Sequence, residues 1–80
     1  MNSIRKIHKN TKTINVYNLH DNFRVETETA EGITDFYLCR KSYGDKMYMF
    51  GIPNCTVEAE EALIIANAEE YIDMFNERFI

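Results

Sequence analysis

Four residues carry side chains that could hold a metal: His8, His20, Cys39 and Cys55. Two thiolates and two imidazoles suit zinc, but closed zinc sites draw their ligands from close pairs, roughly two to five residues apart, and these four are not so spaced. Cys55 is the candidate nucleophile, because it borders an expected helix start, where the helix favours a thiolate. Its base would have to be His8 or His20, both distant along the chain. The acid pairs Glu60/Glu61 and Glu69/Glu70 are adjacent, so on a helix they point about 100° apart and cannot share a proton. The three glycines are isolated, which leaves no phosphate-cradling loop. Arg5, Lys6, Lys9, Lys12, Arg24, Arg40, Lys41 and Lys46, interleaved with aromatics, could grip a single nucleic-acid strand. A formal charge of −4 argues against that use. No catalytic residue, metal or cofactor is expected, and protein binding is favoured over catalysis.

These residues must be placed by a small frame. Eighty residues make one domain with a thin core. The apolar share of 45% and charged share of 28% describe a folded chain. Met1-Asn2-Ser3-Ile4-Arg5-Lys6 leads into polar residues, so neither a signal peptide nor a membrane span is expected, and two cysteines are too few for a disulfide framework. A cytoplasmic location with reduced thiols follows as the expectation.

Residues 1–12 are basic and fit a short strand, a helical turn or a frayed arm. Residues 13–20 are rich in β-branched types and read as a strand. Phe23–Thr29 alternates cleanly: Phe23, Val25, Thr27 and Thr29 face one way, Arg24, Glu26 and Glu28 the other. A two-residue turn at Glu31-Gly32 sets Val25 opposite Leu38 and Thr27 opposite Phe36. Ser42-Tyr43-Gly44-Asp45 makes the next hairpin, setting Leu38 opposite Met49 and Tyr37 opposite Phe50. Strands are expected near 13–20, 23–29, 33–41 and 46–52. Gly51-Ile52-Pro53-Asn54 ends the last of them. Thr56 or Asn54 caps a helix from Val57 to about Phe79, with Glu58 and Glu60 in its first turn. Ala62, Ile65, Ala68, Ile72, Phe75 and Phe79 form the expected buried stripe, widened by Leu63, Ile64, Tyr71 and Met74. The fold class is α+β: an antiparallel β-meander of three to four strands with one long C-terminal helix packed on one face.

Two surfaces are left over. The helix can cover one sheet face, and which of the two it takes is left open: one bears Phe23, Val25, Phe36, Leu38, Met47 and Met49. The other face carries Tyr37, Cys39, Tyr48, Phe50 and Ile52, with Tyr43 at the hairpin tip. It reads as a docking patch, as a dimer interface, or as a face covered by residues 1–20. Residues 54–80 carry seven acids against the single base Arg78. Glu60, Glu61, Glu70, Asp73 and Glu77 are therefore candidates for an acidic strip that meets a basic surface, against the plainer reading of a solvated helix face.

In whole-chain size, in the acidic helix Thr56–Ile80, in the meander from Phe23 to Ile52 and in its lack of chemistry, the chain resembles the small inhibitor proteins that phages encode against bacterial defence systems, such as anti-CRISPR proteins. The resemblance is one of general character and carries no functional residue over. It implies a stoichiometric inhibitor, in the host cytoplasm, that occupies a basic or aromatic-accepting site on a nuclease complex. The alternatives are a homodimer that sequesters a small molecule or nucleotide between tyrosines and Arg40, Lys41 and Lys46, or a structural subunit.

Overall fold

The computed structural model describes residues 3–9, 12–19, 22–41 and 44–79, with side chains described at 12–19, 22–41 and 44–77. Its strands are β1 (Ser3–Lys9), β2 (Lys12–Asn18), β3 (Phe23–Ala30), β4 (Ile33–Arg40) and β5 (Lys46–Pro53), followed by the helix α1 (Val57–Phe79). Every strand pairs antiparallel with its neighbour in the chain, so the sheet order is β1-β2-β3-β4-β5. The α+β meander with a C-terminal helix is thus what the sequence pattern implies. The basic segment 1–12, open between three conformations, supplies the additional edge strand β1.

The β3–β4 hairpin has the expected register, Val25 opposite Leu38 and Thr27 opposite Phe36. Its turn places Glu31 at φ 52° and Gly32 at φ 77°, the two successive positive values that match the twist of a two-residue hairpin. The turn is tied to the chain leaving the sheet, because the Asn54 amide donates 2.7 Å to the Gly32 carbonyl.

The β4–β5 hairpin departs from expectation. Leu38 lies opposite Met47, Tyr37 opposite Tyr48 and Phe36 opposite Phe50, with a bulge between the last two pairs. Two residues, Met49 and Phe50, there occupy the space of one. The bulge turns Phe50 and Ile52 to the helix side, where both pack on the core. The assignment of Phe50 and Ile52 to the outer face is therefore corrected. Phe36 and Phe50 stack at 4.7 Å between ring centroids, and Phe50 meets Tyr71 of α1 at 5.9 Å.

Helix α1 begins where Thr56 Oγ1 accepts a 3.1 Å hydrogen bond from the Ala59 amide, so the cap is Thr56 and not Asn54. Its buried residues are Glu60, Ile64, Ala68, Ile72 and Phe75. Ala62 is exposed and Ile65 is 69% exposed, so the stripe expected through both is turned about the axis by a fraction of a turn. Phe79 lies outside the described side chains. At the C-terminal end Phe75 meets Phe23 edge-on at 5.7 Å, and the Arg40 guanidinium lies over the Phe75 ring while also pairing with Asp45. The core is closed by Tyr17, Val25, Phe36, Leu38 and Ile64, each fully buried, and each of the four apolar ones contributes roughly 1.5–3 kcal/mol by leaving water.

Candidate docking surfaces

The structure separates the candidate residues into three places. Tyr37 and Tyr48 stand on the outer face of the sheet; Glu61, Glu70, Asp73 and Glu77 stand on the helix; Glu60 is buried between the two. Tyr43 lies outside the described residues, as do the side chains of His8 and His20. Cys39 and Cys55 are both free thiols, and no cluster of three or more metal-binding side chains occurs among the described residues.

On the outer face the strands bring opposite charges into register. Glu28 takes Lys46 at 2.9 Å and Lys12 at 3.5 Å, and Glu26 takes Arg24 at 3.0 Å and Lys46 at 3.9 Å. The Lys46 hydrogen bond holds the Glu28 carboxyl below its usual range. The Lys46 ammonium also lies over the Tyr37 ring at 4.3 Å, a cation–π contact, and Tyr37 meets Tyr48 edge-on at 5.6 Å. Tyr48 is 55% exposed and stands with Asp35 over Gly51, where a Cβ would lie only 2.8 Å from Asp35 Oδ1 and 3.0 Å from the Tyr48 hydroxyl. Cys39 is buried in this network against Glu26, and burial first, then the Glu26 charge, raises its thiol to about 11. Burial and the raised pKa both disfavour its thiolate at neutral pH. Cys55 is also raised, by burial and then by Glu60, which runs against the activation a helix start would give.

The outer face is thus largely self-compensated. The strand order sets β1 and β2 beside β3 in the sheet, and on this face Val16 and Cys39 are buried, at 3% and 2% exposure.

The helix presents the opposite character. Glu58, Glu69, Glu70, Asp73 and Glu77 are exposed and Glu61 is half-buried, and the sequence from Val57 to Glu77 holds no Lys or Arg. Glu69, Asp73 and Glu77 follow one another at four-residue spacing, where like charges disfavour an isolated helix by a few tenths of a kcal/mol per pair. Ile65 and Met74 are exposed among these acids, at 69% and 46%. The strip from Glu58 to Glu77 is roughly 28 Å long at 1.5 Å per residue. It faces away from the sheet, so one flat partner cannot cover Tyr48 and Asp73 together.

Glu60 does not belong to this strip. It is 2% exposed, and its Oε1 accepts hydrogen bonds from Asn15 Nδ2 at 3.3 Å, Tyr17 OH at 3.0 Å and Thr27 Oγ1 at 2.6 Å. Burial first, then the Glu60 charge and hydrogen bond, raises the Tyr17 phenol far above its ordinary value. The alternation of β2 and β3 places these donors on the inner face, but charge alone makes Glu60 look like its exposed neighbours.

The fold and its surfaces define a small antiparallel meander with one covering helix, acidic on its free side. No protein-family model, no curated protein and no solved structure matches the chain. Among the described residues no helix is long and apolar enough to cross a membrane.

Proposed function

We propose that this chain is a non-enzymatic protein-binding inhibitor that docks its helix on a basic surface of another protein and blocks it. The surface it fits is one that grips nucleic acid, as in a bacterial defence nuclease complex. The observation that carries this reading is the contrast between the two faces. The sheet neutralises its charges in pairs, whereas α1 leaves Glu58, Glu69, Glu70, Asp73 and Glu77 without a base from Val57 to Glu77. Repelling acids at four-residue spacing do nothing for the fold, and they gain a use when a partner supplies the cations. Ile65, one turn before Glu69, adds an apolar anchor at the edge of the acidic strip.

The test is a cleavage assay on a panel of bacterial defence nuclease complexes, with the chain added in stoichiometric amounts. Inhibition that weakens with salt and is lost in the triple variant Glu69→Lys, Glu70→Lys, Asp73→Lys supports the reading. Inhibition unchanged by that variant, or an empty panel, overturns it. Tyr37→Ser with Tyr48→Ser, on the other side of the domain, should leave inhibition intact.

A further inference from the structure

Opposite charges are sorted to separate places in this fold. Strand β1 carries Arg5, Lys6 and Lys9 and no acid, and Lys12 opens β2 beside it. Among the described residues β1 pairs with β2 alone, so it forms one edge of the sheet. Helix α1 leaves Glu58, Glu69, Glu70, Asp73 and Glu77 exposed, and no ion pair among the described residues includes any of them. The acids of β3, Glu26 and Glu28, are by contrast both paired within the sheet. The acids of α1 stand on the side that faces away from the sheet, and β1 lies in the sheet, so one molecule does not bring the two sets together. Their lengths match. Arg5 to Lys9 spans roughly 13 Å of strand at about 3.3 Å per residue, and Glu69 to Glu77 spans roughly 12 Å of helix at about 1.5 Å per residue.

We infer that the acidic side of α1 docks on a second copy of this chain, in a two-fold dimer that sets the segment Glu69–Glu77 of each protomer along the β1 edge, with Arg5, Lys6 and Lys9, of the other. Charge complementarity selects this occupant: the same chain supplies both surfaces, opposite in sign and equal in length. Like charges on an edge strand deter it from pairing with its own copy, so β1 meets the partner's helix and not the partner's β1. On the helix, bases from the partner offset the repulsion among Glu69, Asp73 and Glu77 at four-residue spacing. A two-fold arrangement makes the contact twice and closes, whereas a single such contact would continue into an open chain. The dimer covers the acids that would meet a foreign basic surface, so that surface must displace the second copy. This last consequence rests on the docking reading above; the dimer does not.

The experiment is light scattering on the intact chain over a concentration series, with no other protein present, so its outcome is independent of the inhibition assay. At about 0.1 M salt the parent should reach the mass of two chains, and at about 1 M, where the Debye length falls to about 3 Å, that of one. Two triple variants, Glu69→Lys with Asp73→Lys and Glu77→Lys, and Arg5→Glu with Lys6→Glu and Lys9→Glu, should each be monomeric at the lower salt, with the fold retained by circular dichroism. Mixed in equal amounts they should recover the mass of two chains, because each altered segment then meets its opposite. A parent that stays monomeric at the lower salt overturns the inference. So does a dimer that survives the higher salt or either triple variant, or a mixture that stays monomeric. Should the β1 triple variant not fold, Lys9→Glu alone takes its place, and a dimer it does not weaken overturns the inference equally.

Discussion

The Tyr17 hydroxyl donates a 3.0 Å hydrogen bond to the Glu60 carboxylate across 43 residues of chain, joining β2 to the first turn of the helix. Hydrogen bonds to charged groups contribute about 1.5–3 kcal/mol. Tyr17→Phe keeps the ring and removes the donor, so it should lower stability by about that amount in urea unfolding. Thr27→Val, which removes the shortest of the three bonds, should do the same. A loss below about 0.5 kcal/mol in both would mean that Glu60 is adequately solvated without them.

Phe50 and Tyr48, two residues apart, should respond in opposite ways. Phe50 packs against Phe36 and Tyr71, so Phe50→Ala should cost roughly 3 kcal/mol. Tyr48 is 55% exposed, and Tyr48→Ala should stay within about 0.5 kcal/mol of the parent. Urea midpoints at constant slope decide the matter, and equal effects would place Phe50 outside the core.

The thiols give a chemical reading of burial. Cys39 is 2% exposed and its thiol is raised to about 11, whereas Cys55 is half-buried and raised by less. At pH 8, iodoacetamide should slowly add one group to the native protein, at Cys55, and a second only in urea. Mass spectrometry of tryptic peptides distinguishes this from modification of Cys39 in the folded chain.

The outer charge network sets a pH dependence. Glu28 is held below its usual range by Lys46, so its contribution is present above the ordinary carboxylate range and is lost as pH falls through its folded value. Burial pulls the Lys46 ammonium down, but the Glu28 hydrogen bond and the charges of Glu28 and Glu26 outweigh it and leave it raised. Its contribution is complete below the ordinary lysine value and fades only in strong base. Lys46→Met should therefore cost at most about 1 kcal/mol near pH 7 for a partly exposed pair, and nothing by pH 2. A cost that survives acid would assign the effect to the Tyr37 contact instead.

Much of this architecture is legible in single residues. The alternation from Phe23 to Thr29, closed by Gly32, fixes the pairing of Val25 with Leu38, because a slip by one residue would expose the whole apolar set. Two features escape such reading. The lone Gly51 inside β5 is the one local mark of a bulge, but it does not say which residue is the extra one, and alternation carried unbroken along the strand assigns Phe50 to the wrong face. The helix stripe fails for a different reason. A glutamate counts as outward in any apolar pattern, so the true seam through Glu60 and Ile64 is passed over for the one through Ile65. Only the donors on β2 and β3 reverse that choice, and they are remote in sequence. Glu70, Asp73 and Glu77 are exposed on the free side of α1.

Strand order and chain order coincide in this sheet, and that has a consequence for how the chain reaches its fold. Each strand finds its partner across a short turn, so no long loop must close before pairing begins. The sheet can grow hairpin by hairpin, in the direction of synthesis. The helix comes last, and Glu60 in its first turn carries the polar tie back to β2 and β3. Until then the inner face, with Val25, Phe36 and Leu38, stands open to water. The aggregation-prone stage for this chain is thus the one before α1 docks, and a chain cut after Cys55 would be held there.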